Sequence, residues 1–224
     1  MKQSIGILAA LVILATVSTG CAKNTSKADA KSFTVGISKI VAHPALDATE
    51  KGIQDELAAQ GLSVAFDLQN ANGDVNTATQ IATKFKNDKV SAVVAIATPT
   101  AVAAANAIKD IPVIFSVITD PVGAGLVGPD NKGQGNVTGL SDKIDVLQNI
   151  TLFARVAKIK TLGYIYTSSE ANSAASLADV KASCDKLGIT LVEQTITNSS
   201  EVKQATEAII KRVDGIYLTT DNTV

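Results

Sequence analysis

The chain has 224 residues, 46% apolar and 18% charged, a composition that supports a packed core and argues against disorder. A net charge of −1 leaves no basic surplus for a phosphate backbone, and with no Trp and 4% aromatics there is no stacking platform, so nucleic acid is not an expected partner. Two cysteines and a single histidine, His43, offer neither a disulfide framework nor clustered metal ligands, so no metal ion or cofactor is expected.

Residues 1–20 read as a signal peptide. Lys2 supplies a short positive start, and Ile5 to Val17 form an uncharged, mostly apolar run. That run is too short to span a bilayer, which takes about 20 residues. It ends in Ser18-Thr19-Gly20-Cys21, which resembles the lipobox of bacterial lipoproteins, with Ser18 where that motif ordinarily carries an aliphatic residue. The resemblance implies cleavage before Cys21 and lipidation of Cys21. Residues 21–32 then make a lipidated start and a polar, Lys/Ala/Ser-rich tether, placing the protein outside the cytoplasm and anchored to the cell membrane. An ordinary secretory leader with an incidental Cys21 is the plainer alternative.

From Phe33 onward, short β-rich runs alternate with longer helix-periodic ones. The first predicted strand is 33–40. A helix over 44–60 carries Leu46, Ile53 and Leu57 on one stripe and ends at Gly61. A strand at 62–68 precedes a helix at 75–87, capped by Asp74. A strand at 92–97, an Ala-rich helix at 100–109 and a strand at 112–118 follow. A Gly/Pro/Asp-rich loop over 119–136, expected to be flexible and to lie between lobes, leads to a brief strand at 136–140. The second series is a helix at 144–157, a strand at 161–167, a helix at 171–187, a strand at 189–195, a helix at 201–211 and a strand at 215–219. Cys184 lies in the apolar pattern of the helix 171–187 and reads as a small buried hydrophobe.

Apolar strands without alternation are buried on both faces, the pattern of parallel sheets, and regular strand–helix alternation implies right-handed crossovers in doubly wound sheets. The expected class is therefore α/β, with a first lobe at 33–142 and a second, incomplete lobe at 143–224. Only Thr220 to Val224 follow the final strand, where a covering helix is normal, so the pattern reads as a C-terminally truncated version of a longer protein.

Gly123-Ala124-Gly125-Leu126-Val127-Gly128 matches the spacing of a dinucleotide-binding loop, but Pro129 to Gly133 break the helix such a loop must open. No Ser sits in a nucleophile elbow, and the chain holds no phosphate-binding loop. No catalytic residue is assigned. Ligands of open α/β sheets bind beyond the carboxyl ends of the strands. Those exits carry Ser38 to His43, Gln69-Asn70, Thr98-Pro99-Thr100, Thr119-Asp120, Ser141-Asp142, Thr167 to Glu170, and Asp221-Asn222. Hydroxyls and helix N-terminal N–H groups suit a carboxylate, and a nearby acid suits an ammonium, so the set suits a zwitterion such as an amino acid. Taken one at a time, each residue serves equally well as a helix cap or turn former.

Several segments resemble one family in order: His43 to Thr49, Ala95 to Pro99, Thr119 to Val127, Asn136 to Asp142, Tyr166 with Glu170 to Ser173, and Thr220 to Val224. Together they resemble the ABC-transporter substrate-binding lipoproteins that include tryptophan and tyrosine binders. The resemblance implies a type I periplasmic-binding fold, two lobes closing on a solute that is then delivered to a membrane permease. It implies a ligand site at Thr98, Thr100, Thr119, Asp120, Ser141, Glu170, Asn172, Ser173, Asp221 and Asn222, to which the strand exits add Ser38. Thr98 and Thr100 would take the ligand carboxylate and Asp221 or Glu170 its ammonium. The alternatives are a ligand sensor docking on a membrane receptor and, more remotely, a nucleotide-dependent α/β enzyme using the glycine loop.

Overall fold

The computed structural model describes residues 33–224; the leader, Cys21 and the tether lie outside the described residues. Eight strands and six α-helices follow one another in the expected order, with ends shifted by one or two residues. The first group is β1 (Phe33–Lys39), α1 (Pro44–Ala59), β2 (Val64–Asn70), α2 (Val75–Asn87), β3 (Ala92–Ile96), α3 (Thr98–Ala107), β4 (Val113–Ile118) and β5 (Val137–Ser141). The second is α4 (Val146–Ala157), β6 (Thr161–Thr167), α5 (Ala171–Leu187), β7 (Thr190–Ile196), α6 (Val202–Ile209) and β8 (Gly215–Tyr217). All pairings between these strands are parallel, in a five-stranded sheet ordered β2-β1-β3-β4-β5 and a three-stranded sheet ordered β7-β6-β8. Residues 142–145 carry the chain from one sheet to the next helix and sheet.

Local chemistry sets the helix limits. Asp74 caps α2 by accepting from the Thr77 N–H, and Asp145 caps α4 by accepting from the Gln148 N–H at 2.9 Å. Helix α1 stops in a Schellman turn: Leu62 N–H reaches the Leu57 carbonyl at 3.1 Å and Gly61, at φ 72°, donates to Ala58. His43 caps α1 through its imidazole Nδ1, which accepts from the Ala45 N–H at 3.2 Å. Helix α3 begins at Thr98, two residues earlier than the sequence suggested, because Pro99 fits the first turn of a helix. The loop 119–136 is corrected: it joins β4 to β5 within one sheet rather than linking two lobes, and it is braced by a bridge between Val127 and Gly133. No helix follows its glycines. Strand β8 is also shorter and only half-buried, where a core strand through Thr219 was expected.

Ile37, Phe85, Ile96, Val113 and Phe115 lie at the centre of the first core, and Ile150, Leu162, Tyr164 and Cys184 at that of the second. Helices approach the sheets through glycines. A Cβ at Gly36 of β1 would lie 2.8 Å from the buried Phe85 ring of α2, and one at Gly215 of β8 would lie 2.5 Å from Phe153 of α4. Gly36→Ala forces that ring to move within a filled core, so it should lower stability by about 1–3 kcal/mol. An unchanged urea midpoint for the variant would contradict this account of how α2 docks.

Candidate functional site

At the carboxyl end of the first sheet, Ser38, Thr98, Thr100 and Thr119 are all buried. The Thr100 hydroxyl donates back to the carbonyls of Ile96 and Ala97, at 2.6 and 2.9 Å, so it braces the start of α3. Ala97 stands at φ 82°, ψ 153°, a region almost confined to glycine, with its N–H held by the Ser116 carbonyl. A bulge between Phe115 and Ile118, with Val117 at φ 61°, bends the end of β4 and re-aims Thr119. Asp120 faces its own turn, where it accepts from the Gly123 N–H at 3.0 Å. Ser141 accepts from the Lys143 N–H at 3.1 Å. Beside it Asp142 has a carboxylate oxygen that is buried and meets no donor among the described residues. Burial pushes the Asp142 carboxyl above the usual carboxylate range, and Thr119 offsets that only in part.

The second sheet ends in a single hydrogen-bonded cluster. Asp221 accepts from the Thr167 N–H and hydroxyl at 2.7 and 2.8 Å, the Ser173 hydroxyl at 2.6 Å, and the N–H groups of Thr223 and Val224. It thereby ties β6, the first turn of α5 and the segment after β8 together. Glu170 accepts from the Asn172 amide at 3.1 Å, the Asn222 amide at 2.6 Å and the Thr223 hydroxyl at 2.8 Å. Asn172, 2% exposed, also donates to the Thr220 carbonyl, while its own amide oxygen is buried without a partner among the described residues. Just below, the Tyr164 hydroxyl meets Thr219 at 2.6 Å, and burial pushes its pKa up to about 12.

Between the two groups lies a cleft of about 190 Å³. Val75 and Thr79 of α2 form one wall, and Thr98, Pro99, Val102, Ala103 and Asn106 of α3 the floor. Ser169, Glu170 and Ala171 close the other side. Of the strand-exit residues expected from sequence, Thr98, Pro99, Ser169 and Glu170 line this cleft. Asn172, Ser173, Asp221 and Asn222 gather behind Glu170, whereas Ser38, Thr100, Thr119, Asp120 and Ser141 are not part of its lining. The sequence reading missed Val75, Thr79, Val102 and Asn106. The four-residue spacing of Thr98, Val102 and Asn106 was a usable signal, since it places them on one helix stripe. Glu170 is 8% exposed and forms no salt bridge among the described residues. No group of three potential metal ligands occurs among the described residues.

Parallel sheets with polar groups massed at their carboxyl ends around a small cleft define a solute binder. Residues 34–224 match the model of the ABC transporter substrate binding protein family, and the chain belongs to that family. It is 37% identical to a tyrosine-binding protein of Clostridioides difficile (strain R20291), an alignment that takes in all of this chain and 69% of that one. Among solved structures it is similar to an ABC domain from Streptococcus pneumonia in complex with L-Trp (TM-score 0.82, 37% identity, 86% of this chain and 66% of that one). It is also similar to a conserved domain protein from Vibrio cholerae (TM-score 0.84, 43% identity, 87% of this chain and 67% of that one). The chain thus spans about two thirds of the length of these relatives. The fold is the type I periplasmic-binding fold, and the family is one of extracytoplasmic substrate-binding proteins rather than enzymes.

Removing the Asp221 carboxylate leaves the Thr167 N–H and the Ser173 hydroxyl without their acceptor. Asp221→Ala should therefore cost about 3 kcal/mol of stability, measured by urea unfolding. Asp142 behaves oppositely. Its carboxyl holds a proton more readily in the fold than in the unfolded chain, so its cost is absent below the ordinary Asp range and complete above its raised pKa. Asp142→Asn should raise the melting temperature at neutral pH, and the gain should shrink to nothing by about pH 3. A gain that is the same at both pH values would show that the charge of Asp142 is not responsible.

Proposed function

We propose that this protein captures an amino acid in the cleft between α3 and the 169–171 loop and delivers it to the permease of an ABC importer. The observation that carries the reading is Glu170. It is a buried carboxylate that lines the cleft and has amide and hydroxyl neighbours but no cation among the described residues. Burying a charge is costly unless it is paired, and a ligand ammonium is the pair this site lacks. Thr98, across the cleft in the first turn of α3, stands where backbone N–H groups favour a carboxylate. The two ends of a zwitterion thus have separate reception points, one on each sheet's elements. Asp221, whose carboxylate is occupied by five donors of its own chain, supports the site from behind.

The printed ligands of two relatives, tyrosine and L-Trp, support an aromatic amino acid. Lipidation at Cys21 belongs to the same reading, supported by the apolar run before Gly20-Cys21. The site test is isothermal titration of the chain with the common amino acids. At least one aromatic amino acid should bind, and Glu170→Gln should weaken it about tenfold or more by removing the charge that meets the ammonium. If no amino acid binds, the reading fails. The anchor is tested by expressing Cys21→Ser in a bacterium, which should release the protein from the membrane fraction.

A further inference from the structure

We infer that the amino-terminal end of the second sheet is a docking surface for anionic phospholipid headgroups, formed by Arg155, Lys158, Lys160, Lys186, Lys211 and Arg212. The inference does not rest on the amino-acid reading of the cleft, which lies at the opposite, carboxyl end of the same sheet. Residues 143–224 carry nine Lys and Arg side chains. Three are neutralised by acids: Lys143 by Asp179 at 3.3 Å, Lys181 by Glu193 at 3.0 Å and Lys203 by Glu207 at 3.9 Å. The other six form no ion pair among the described residues. All six are exposed, and each stands in the last turn of a helix or in the turn that leads from it to the next strand. Each such turn opens into the amino end of a strand, so in a parallel sheet they share one end.

Hydrogen bonds hold these turns side by side. The Asp214 carboxylate accepts from the N–H groups of Lys160 and Thr161 at 2.7 and 2.8 Å, and the Thr190 N–H donates to the Lys160 carbonyl at 2.9 Å. The acids of these turns offset little of the charge. Asp214 is spent on backbone donors and Glu207 on Lys203, which leaves Asp185. The helix dipole accounts for Arg155 and Lys186, but it fades within a turn and does not call for Lys160 or Arg212, three residues past the ends of α4 and α6. Two aliphatic side chains stand among the cations: Val156, 73% exposed, and Ile210, 49% exposed. Cations interleaved with exposed aliphatics fit a fluid layer of anionic headgroups, where the cations meet phosphates and the aliphatics dip into the interface. An acidic protein segment would answer the charges only. A substrate-binding protein of an ABC transporter works beside a membrane, so a phospholipid surface is the polyanion within reach. The seven residues of β6 separate this end from Glu170 by about 20 Å, so the cleft stays open while the surface is engaged.

The experiment is flotation of the full chain with vesicles of phosphatidylcholine alone and of phosphatidylcholine with about a quarter phosphatidylglycerol. The wild-type chain should partition onto the anionic vesicles about tenfold or more in excess of the neutral ones, and added salt should erase the difference. The variant Lys158→Gln/Lys160→Gln/Lys211→Gln/Arg212→Gln should lose about tenfold or more of that binding, since each cation near an anionic surface is worth about fivefold. A control with the same loss of charge elsewhere, Lys51→Gln/Lys143→Gln/Lys181→Gln/Lys203→Gln, should bind as the wild type does. Both variants should give cooperative thermal melts, because every substituted side chain is exposed. A wild-type chain with no preference for anionic vesicles, or equal losses in the two variants, overturns the inference. Retention of the wild type on a polyglutamate resin without vesicle binding overturns it as well, in favour of an acidic protein partner.

Discussion

A buried carboxylate with no cation beside it among the described residues sets the terms for the rest of this site. Glu170 stands at the N-cap of α5, out of water, and among the described residues its charge meets only dipoles: an amide of Asn172, an amide of Asn222 and a hydroxyl of Thr223. Dipoles soften the desolvation cost but leave the charge formally unpaired. Everything around it serves that arrangement. Asp221 gathers the donors that hold Asn222, Thr223 and the start of α5 in register, and Tyr164 with Thr219 stiffens the strand ends beneath. On the proposed reading, a site already solvated by fixed dipoles does not have to rearrange to receive an ammonium.

The first sheet contributes position rather than charge. Its central strand β3 is apolar and buried, and beyond its exit the Thr100 hydroxyl turns inward to the carbonyls of Ile96 and Ala97. What it presents to the cleft is the face of α3, and the placement of α3 depends on strain. Ala97 adopts a backbone conformation that alanine seldom visits, and Thr100 clamps the same turn from inside. The bulge in β4 has a comparable effect one strand over, turning Thr119 inward and bringing the Asp142 N–H to the Ile118 carbonyl at 3.1 Å. Asp142, with a buried oxygen that meets no donor among the described residues, sits in the short segment that carries the chain from the first sheet to the second.

Much of the fold was legible because its signals are local. Alternating apolar strands and amphipathic helices, Asp74 as a cap and Gly61 as a stop needed only a few neighbouring residues to be recognised. The loop 119–136 was misjudged for the opposite reason. Composition marks a loop but does not say which strands it connects, and that depends on β5 pairing with β4. Thr98 and Glu170 were legible as strand-exit residues. Thr79, Val102 and Asn106 were not, because they lie one or more turns into their helices and meet the cleft only through the packing of α2 on α3.

The sequence by itself determined the class of fold, the family and the pool of polar residues from which a site could be made, since each rests on periodicity or on a run of contiguous residues. It left Asp221 and Glu170 equivalent as acids at strand exits. Only the tertiary structure separated them, by surrounding Asp221 with five donors from its own chain and leaving Glu170 at the wall of a cleft. The physical reason is that a carboxylate's role is set by which donors reach it in space, and several of those donors come from residues about fifty positions away along the chain.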